Sequence, residues 1–113
     1  MRFYTTVWNV KRQAKRLKKV LKRLKYDVSY TACLDLISRL YGFSNFAELK
    51  GTSSDQPLSA FDDDVDGDLL EARFQYQERV MIEAGFSDVA GIVLDEVDPT
   101  SSRNDPIPPI ESI

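Results

Sequence analysis

Val10, Ala14, Leu17, Leu21 and Leu24 recur at i, i+4, i+7, i+11 and i+14, a rhythm that puts all five along one side of an α-helix. Between and beside them stand Lys11, Arg12, Lys15, Arg16, Lys18, Lys19, Lys22, Arg23 and Lys25. Such a segment has one good solution: a helix that buries its seam and turns its charge outward. The spacing predicts a first helix over about 9–25, with Asn9 as its N-cap. Its cationic last turn suits the helix dipole, although so many like charges repel one another. Arg2 to Val7 would lead in as a short extended arm, with Trp8 as an anchor where the helix begins.

Asp27-Val28-Ser29 interrupts the pattern. Ser29 reads as the cap of a second helix over about 30–41, with Ala32, Cys33, Leu36, Ile37 and Leu40 inward and Gly42 as its left-handed stop. Ser44 would cap a short third helix over about 45–50, burying Phe46 and Leu49. Thr52 to Asp66 is a polar connection containing Pro57 and a run of acids. A fourth helix over about 68–84 follows, with Leu70, Phe74, Gln77, Met81 and Ala84 on one face, widened by Leu69, Tyr76 and Val80. Gly85 stops it, Ser87 caps a fifth helix over about 88–97, and Ala90, Val93, Leu94 and Val97 form its inner face. Pro99 ends that helix. Two corners share one chemistry, Tyr41-Gly42-Phe43-Ser44 and Ala84-Gly85-Phe86-Ser87, each a helix, a stop and a restart. The expected fold is all-α: a five-helix domain over 1–99 and a flexible, proline-containing tail over 100–113.

Charge divides along the same chain. Residues 1–50 hold twelve Lys/Arg against three Asp/Glu, a net of +9, and residues 51–113 hold three against fifteen, a net of −12. The overall −3 therefore describes neither half. A cationic segment this dense attracts phosphate backbones, anionic lipid or an acidic protein surface.

Several classes of function are disfavoured by what is missing. The chain has no histidine, hence no ordinary general base near neutral pH, no commonest transition-metal ligand and no Ser-His or Cys-His nucleophile pair. These gaps point away from an enzyme. The lone Cys33 has no intramolecular disulfide partner and fits a reducing, cytoplasmic setting. No secretory apolar region follows Arg2, and no stretch approaches the roughly 18 apolar residues of a membrane span.

Other constellations favour plainer readings. Ser29 to Lys50 resembles a helix-turn-helix in outline. Its hydrophobic phase is wrong, because Glu48 falls where the second helix should be buried, so a supporting corner fits better. Asp62, Asp64, Asp66 and Gly67 match positions 1, 3, 5 and 6 of a calcium loop, but Arg73 stands where the bidentate acid is required. Those acids suit a helix N-terminus instead, with Arg73 folding back onto one of them. The tyrosines Tyr4, Tyr26, Tyr30, Tyr41 and Tyr76, with Trp8, fit core edges better than base-stacking platforms. Cys33 reads as an inert buried thiol.

Ser29-x3-Cys33-Leu34-Asp35-Leu36-Ile37-x2-Leu40-x-Gly42-Phe43-x-Asn45-Phe46-x2-Leu49 resembles a segment of small bacterial proteins named as glyoxalase-related. In them it usually reads Ser-His-Ser-x-Ala-Leu-x-Leu-(Ile/Val)-Ala, followed by Gly-(Phe/Tyr)-x-(Asn/Asp)-Trp-x2-Leu. Asp62-Asp63-Asp64, Arg73-x2-Tyr76-Gln77 and Val93-Leu94-Asp95-Glu96-Val97-x-Pro99-Thr100 extend the resemblance. Phe46 stands where Trp is usual, and Tyr30-Thr31 where His-Ser is usual. The resemblance implies a small helical protein often carried on plasmids and other mobile elements. It does not imply glyoxalase activity, whose metal site is built from His and Glu on a βαβββ fold.

The expected function is therefore non-enzymatic binding of DNA or RNA by the first helix. Lys11, Arg12, Lys15, Arg16, Lys18, Lys19, Lys22 and Arg23 would be the phosphate contacts, with no catalytic residue, metal or cofactor. The alternative is a protein-interaction or self-assembly module, as a homodimer or with another protein, using the first or fourth helix. In that case the acidic half would neutralise the basic one. A membrane partner is not expected.

Overall fold

The computed structural model describes residues 1–52 and 57–101. Among them the chain forms five α-helices and no strand: α1 (Val7–Arg23), α2 (Tyr30–Leu40), α3 (Phe46–Thr52), α4 (Gly67–Glu83) and α5 (Ala90–Val97). A 3-10 turn, Asp62–Asp64, precedes α4. None of these helices is long and apolar enough to cross a membrane. α2 packs against α1, α3 and α4, and α5 bridges α1 and α4. The all-α architecture expected from periodicity is the one that forms.

The caps differ from the sequence reading in three places. α1 begins at Val7 because the hydroxyl of Thr6, not the side chain of Asn9, caps it: Asn9 N donates to Thr6 Oγ1 at 3.1 Å. Asn9 is instead buried, its Nδ2 donating to Thr5 Oγ1 at 2.9 Å. α3 is capped by Asn45 rather than Ser44, since Asn45 Oδ1 accepts from Glu48 N at 2.9 Å. Asp35 of α2 reinforces that cap by accepting from Phe46 N at 2.9 Å, which fastens the start of α3 to α2. α5 starts at Ala90 with no side-chain cap; Ser87 opens a preceding turn. Two expected starts are met: Ser29 caps α2 through Ala32 N at 3.1 Å, and α4 begins at Gly67, where Asp66 caps through Leu69 N at 2.8 Å.

Three helix ends use one device. After α2, Gly42 (φ 92°) and Phe43 donate their N–H groups back to Arg39 O and Ser38 O. Gly85 (φ 93°) and Phe86 do the same after α4, to Ile82 O and Met81 O. These paired back-bonds, with an apolar residue just past the left-handed position, are Schellman closures. The third was not expected. The apolar spacing extends to about residue 25, yet α1 ends at Arg23, and Lys25 itself holds the left-handed position at φ 73°. Lys25 N donates to Lys22 O and Tyr26 N to Leu21 O. The aromatic side chains that follow these stops pack: Tyr26 meets Phe86 edge-on at 5.2 Å, and Phe43 meets Tyr4 at 6.1 Å.

The seam of α1 is the centre of the core, with Val10, Ala14, Leu17 and Leu21 fully buried against Cys33, Ile37, Leu40, Val93 and Val97. Threaded through it is a polar cluster around Tyr41. The Tyr41 hydroxyl donates to Pro99 O at 2.5 Å and accepts from Gln13 Nε2 at 2.8 Å and Asn9 Nδ2 at 3.3 Å. Thr100 Oγ1 accepts from Gln77 Nε2 at 3.0 Å and donates to Asp62 Oδ1 at 2.8 Å. The residues after α5 are thus part of the domain. Thr100 and Ser101, assigned to the tail by composition, are buried, and the rest of the expected tail, 102–113, lies outside the described residues.

α4 is rotated from the face its apolar pattern suggested. Arg73, Gln77, Val80 and Met81 are buried, while Leu69, Leu70 and Phe74 are exposed. The cause is polar: Arg73 turns inward onto Asp62 and over the Phe3 ring at 4.9 Å, and Gln77 reaches Thr100.

Two expectations follow. A Cβ at Gly42 would lie 2.0 Å from Met1 O, whereas one at Gly85 meets nothing within 4 Å. Gly85→Ala should cost about 1–2 kcal/mol from the positive φ alone, and Gly42→Ala clearly more, because the N-terminal arm must also move. Equal losses in chemical denaturation would show that the arm's approach is not what requires Gly42. Burial pushes the Tyr41 phenol up to about 12, against opposing hydrogen bonds from Gln13, Thr5 and Asn9. Since the folded state holds that proton more tightly, its contribution is complete below pH 10 and is lost as pH rises from there through about 12, a loss of about 3 kcal/mol. Tyr41→Phe should flatten that stretch of an alkaline stability profile.

Candidate nucleic-acid interface

Because its seam is consumed by the core, α1 has one direction left for its cations. At 3.6 residues per turn, Lys11, Lys15, Lys19 and Lys22 fall within an arc of about 80° on the side away from that seam. All four are exposed, and none of their ammonium groups has an ion-pair or hydrogen-bond partner among the described residues. The other four nominated residues are engaged in the fold. Arg12 lies over the Trp8 ring at 4.5 Å and donates from Nη2 to Asn9 Oδ1 at 2.6 Å. Lys18 Nζ donates to the carbonyl of Val28 at 3.1 Å, bracing the turn into α2. Arg23 forms an ion pair with Glu96 of α5. Arg16 is half-buried and also has a partner. The helix is therefore divided: Lys11, Lys15, Lys19 and Lys22 face outward, while Arg12, Arg16, Lys18 and Arg23 are held within the fold.

Trp8, the expected anchor at the helix entry, has a second property. It lies at the head of the lysine arc, half-buried, with Arg12 across its ring. The signal was available in the sequence, since Trp8, Lys11, Lys15, Lys19 and Lys22 share helical phase. Asn9 hides it, because as an N-cap it would leave Trp8 outside the helix.

The helix-turn-helix outline of α2 and α3 resolves into a supporting corner. Leu49 is buried, Phe46 is half-buried, and Glu48 forms an ion pair with Arg2 at 2.9 Å. Lys50 rests over the Phe46 ring at 5.5 Å. The acidic segment before α4 is likewise tied into the fold. Asp62 Oδ1 accepts from Arg73 Nη1 at 3.0 Å as well as from Thr100, and Asp66 caps α4. The Asp62–Arg73 pair is nearly enclosed, with side-chain exposures of 18 % and 6 %. Such a pair is costly to break from one side, because the partner is left as a buried charge.

A family model described as glyoxalase superfamily protein matches residues 2–94, from the N-terminal arm into α5. No curated protein and no solved structure matches the chain. The His and Glu donors that the family's name suggests do not fit what is present. The chain has no histidine, Asp62 is occupied by Arg73 and Thr100, and among the described residues no group of three His, Cys, Asp or Glu side chains is placed to hold a metal ion. What the match establishes is kinship over most of the length: this all-helical chain belongs to the family of glyoxalase superfamily proteins.

Proposed function

We propose that the protein is a non-enzymatic nucleic-acid-binding or regulatory accessory protein of the cytoplasm that meets DNA or RNA with the outer face of α1. The observation that carries this is the stripe of four exposed lysines without partners among the described residues. From Lys11 to Lys22 the stripe is about 16 Å long, the rise of about five phosphates on one strand. Lysine ammonium groups bind phosphate as point charges, without the bidentate fork of arginine, so the expected mode tracks the backbone.

A binding role is also favoured by where the reactive side chains are. The Tyr41 hydroxyl and the Cys33 thiol are sealed in the core, out of reach of a substrate. Intramolecular neutralisation, the other reading of the charge split, is less well supported. Arg23 is paired with the acidic half, while the four outward lysines are paired with no described residue.

Binding of a labelled DNA or RNA oligonucleotide, followed by anisotropy across a salt series, tests this. The logarithm of affinity should fall against the logarithm of salt with a slope of about −3 to −4 for four lysine contacts. Replacing Lys11, Lys15, Lys19 and Lys22 together by Gln should bring the slope close to zero and cut low-salt affinity by at least about tenfold, with an unchanged melting temperature. Replacing Lys18 instead should lower the melting temperature, because its ammonium braces the Val28 carbonyl. Affinity that ignores salt, or a quadruple variant that binds like the parent, would sink the proposal.

A further inference from the structure

The rotation of α4 leaves an open groove of about 760 Å³ between α4 and α5. Its apolar wall is made by Leu70, Phe74 and Ile92, which are 42 %, 44 % and 49 % exposed. These are large side chains to leave in water on helices that bury an arginine and a glutamine nearby. Around them stand carboxylates, Glu71 on α4 and Asp95 on α5, with Glu96 already paired to Arg23, and among the described residues no Lys or Arg lines the groove. Asp95 is exposed and has no partner among the described residues.

An apolar trough between two helices, edged by one sign of charge, has a defined complement: a helix with apolar anchors on one face and cations flanking them. We propose that the α4–α5 groove docks a basic amphipathic helix of a partner protein, with its apolar side chains against Leu70, Phe74 and Ile92 and its Lys or Arg residues toward Glu71 and Asp95. A second copy of this chain is a poorer match. Its basic helix has the charge, but its seam is already buried, so it offers lysine stems where the groove offers Phe74 and Ile92. Nucleic acid is excluded from this surface by the carboxylates, so the groove and the lysine stripe would take partners of opposite charge. The groove reading stands whether or not α1 binds nucleic acid.

The probe is a fluorescent amphipathic helical peptide of Leu and Lys, titrated with the full chain. Two companions share its pattern, one with Glu for Lys and one with Gln for Leu. The Leu/Lys peptide should bind at least about tenfold more tightly than either companion. Its affinity should fall by a similar factor in Phe74→Ser/Ile92→Ser and in Glu71→Lys/Asp95→Lys. All four positions are exposed, so these variants should keep the parent's circular dichroism and melting temperature, and any oligonucleotide affinity should be no lower. Equal binding of the Glu peptide, equal binding of the Gln peptide, or no loss in the groove variants would overturn the proposal. So would light scattering that shows a dimer in the parent and a monomer in Phe74→Ser/Ile92→Ser, because a second copy would then cover the groove.

Discussion

The Tyr41 hydroxyl stands where three distant stretches of chain converge. It receives a hydrogen bond from Gln13 in α1, extends from the end of α2, and donates to the carbonyl of Pro99 beyond α5. Each of these groups is fully or nearly buried, so each would lose much more than a surface contact if its partner moved. Apolar packing alone would hold α1 against α2 and α5 with some freedom to slide. The amide and hydroxyl groups admit one register, and that register carries Thr100 toward Gln77 and Asp62, and through Asp62 to Arg73. The rotation of α4, and with it the groove beside α5, follows from this chain of polar contacts.

Within α1 the division between arginine and lysine has a physical basis. Guanidinium groups are planar and weakly hydrated, so they lie well on an aromatic ring or against a carboxylate, as Arg12 does on Trp8 and Arg23 on Glu96. Ammonium groups hold water more strongly and sit best where solvent is plentiful, and four of the lysines are there. Nine cations in one segment are tolerated because some are absorbed by the fold and the rest are spread along the outward face.

Much of this was legible in the sequence. The seam of α1, the inner faces of α2 and α5, and the stops at Gly42 and Gly85 follow from spacing and backbone chemistry. Arg73 turning back onto the acidic segment was readable from charge alone. What could not be read depends on contacts between distant residues. Asn9 looks like a cap until Thr5 and Tyr41 claim its side chain. Lys25 looks helical until the back-bonds from Lys25 and Tyr26 show a stop that uses no glycine. α4 looked as though its apolar residues would face inward, but Asp62 and Thr100 draw Arg73 and Gln77 there instead. At the interface, the total charge was plain from composition. Which of its cations stay unpaired was not, since Val28, Glu96 and Trp8 decide it by taking Lys18, Arg23 and Arg12.

The chain contains a single tryptophan, and it lies beneath the guanidinium of Arg12 at the head of the lysine stripe. Indole emission responds to the polarity and charge immediately around the ring, so this residue is a built-in optical gauge of one face of the molecule. An anion settling along α1 would disturb the cation above the ring and shift the emission without any attached dye. The groove between α4 and α5 has no tryptophan of its own. Light from Trp8 would thus tell an observer which side of the protein has been occupied.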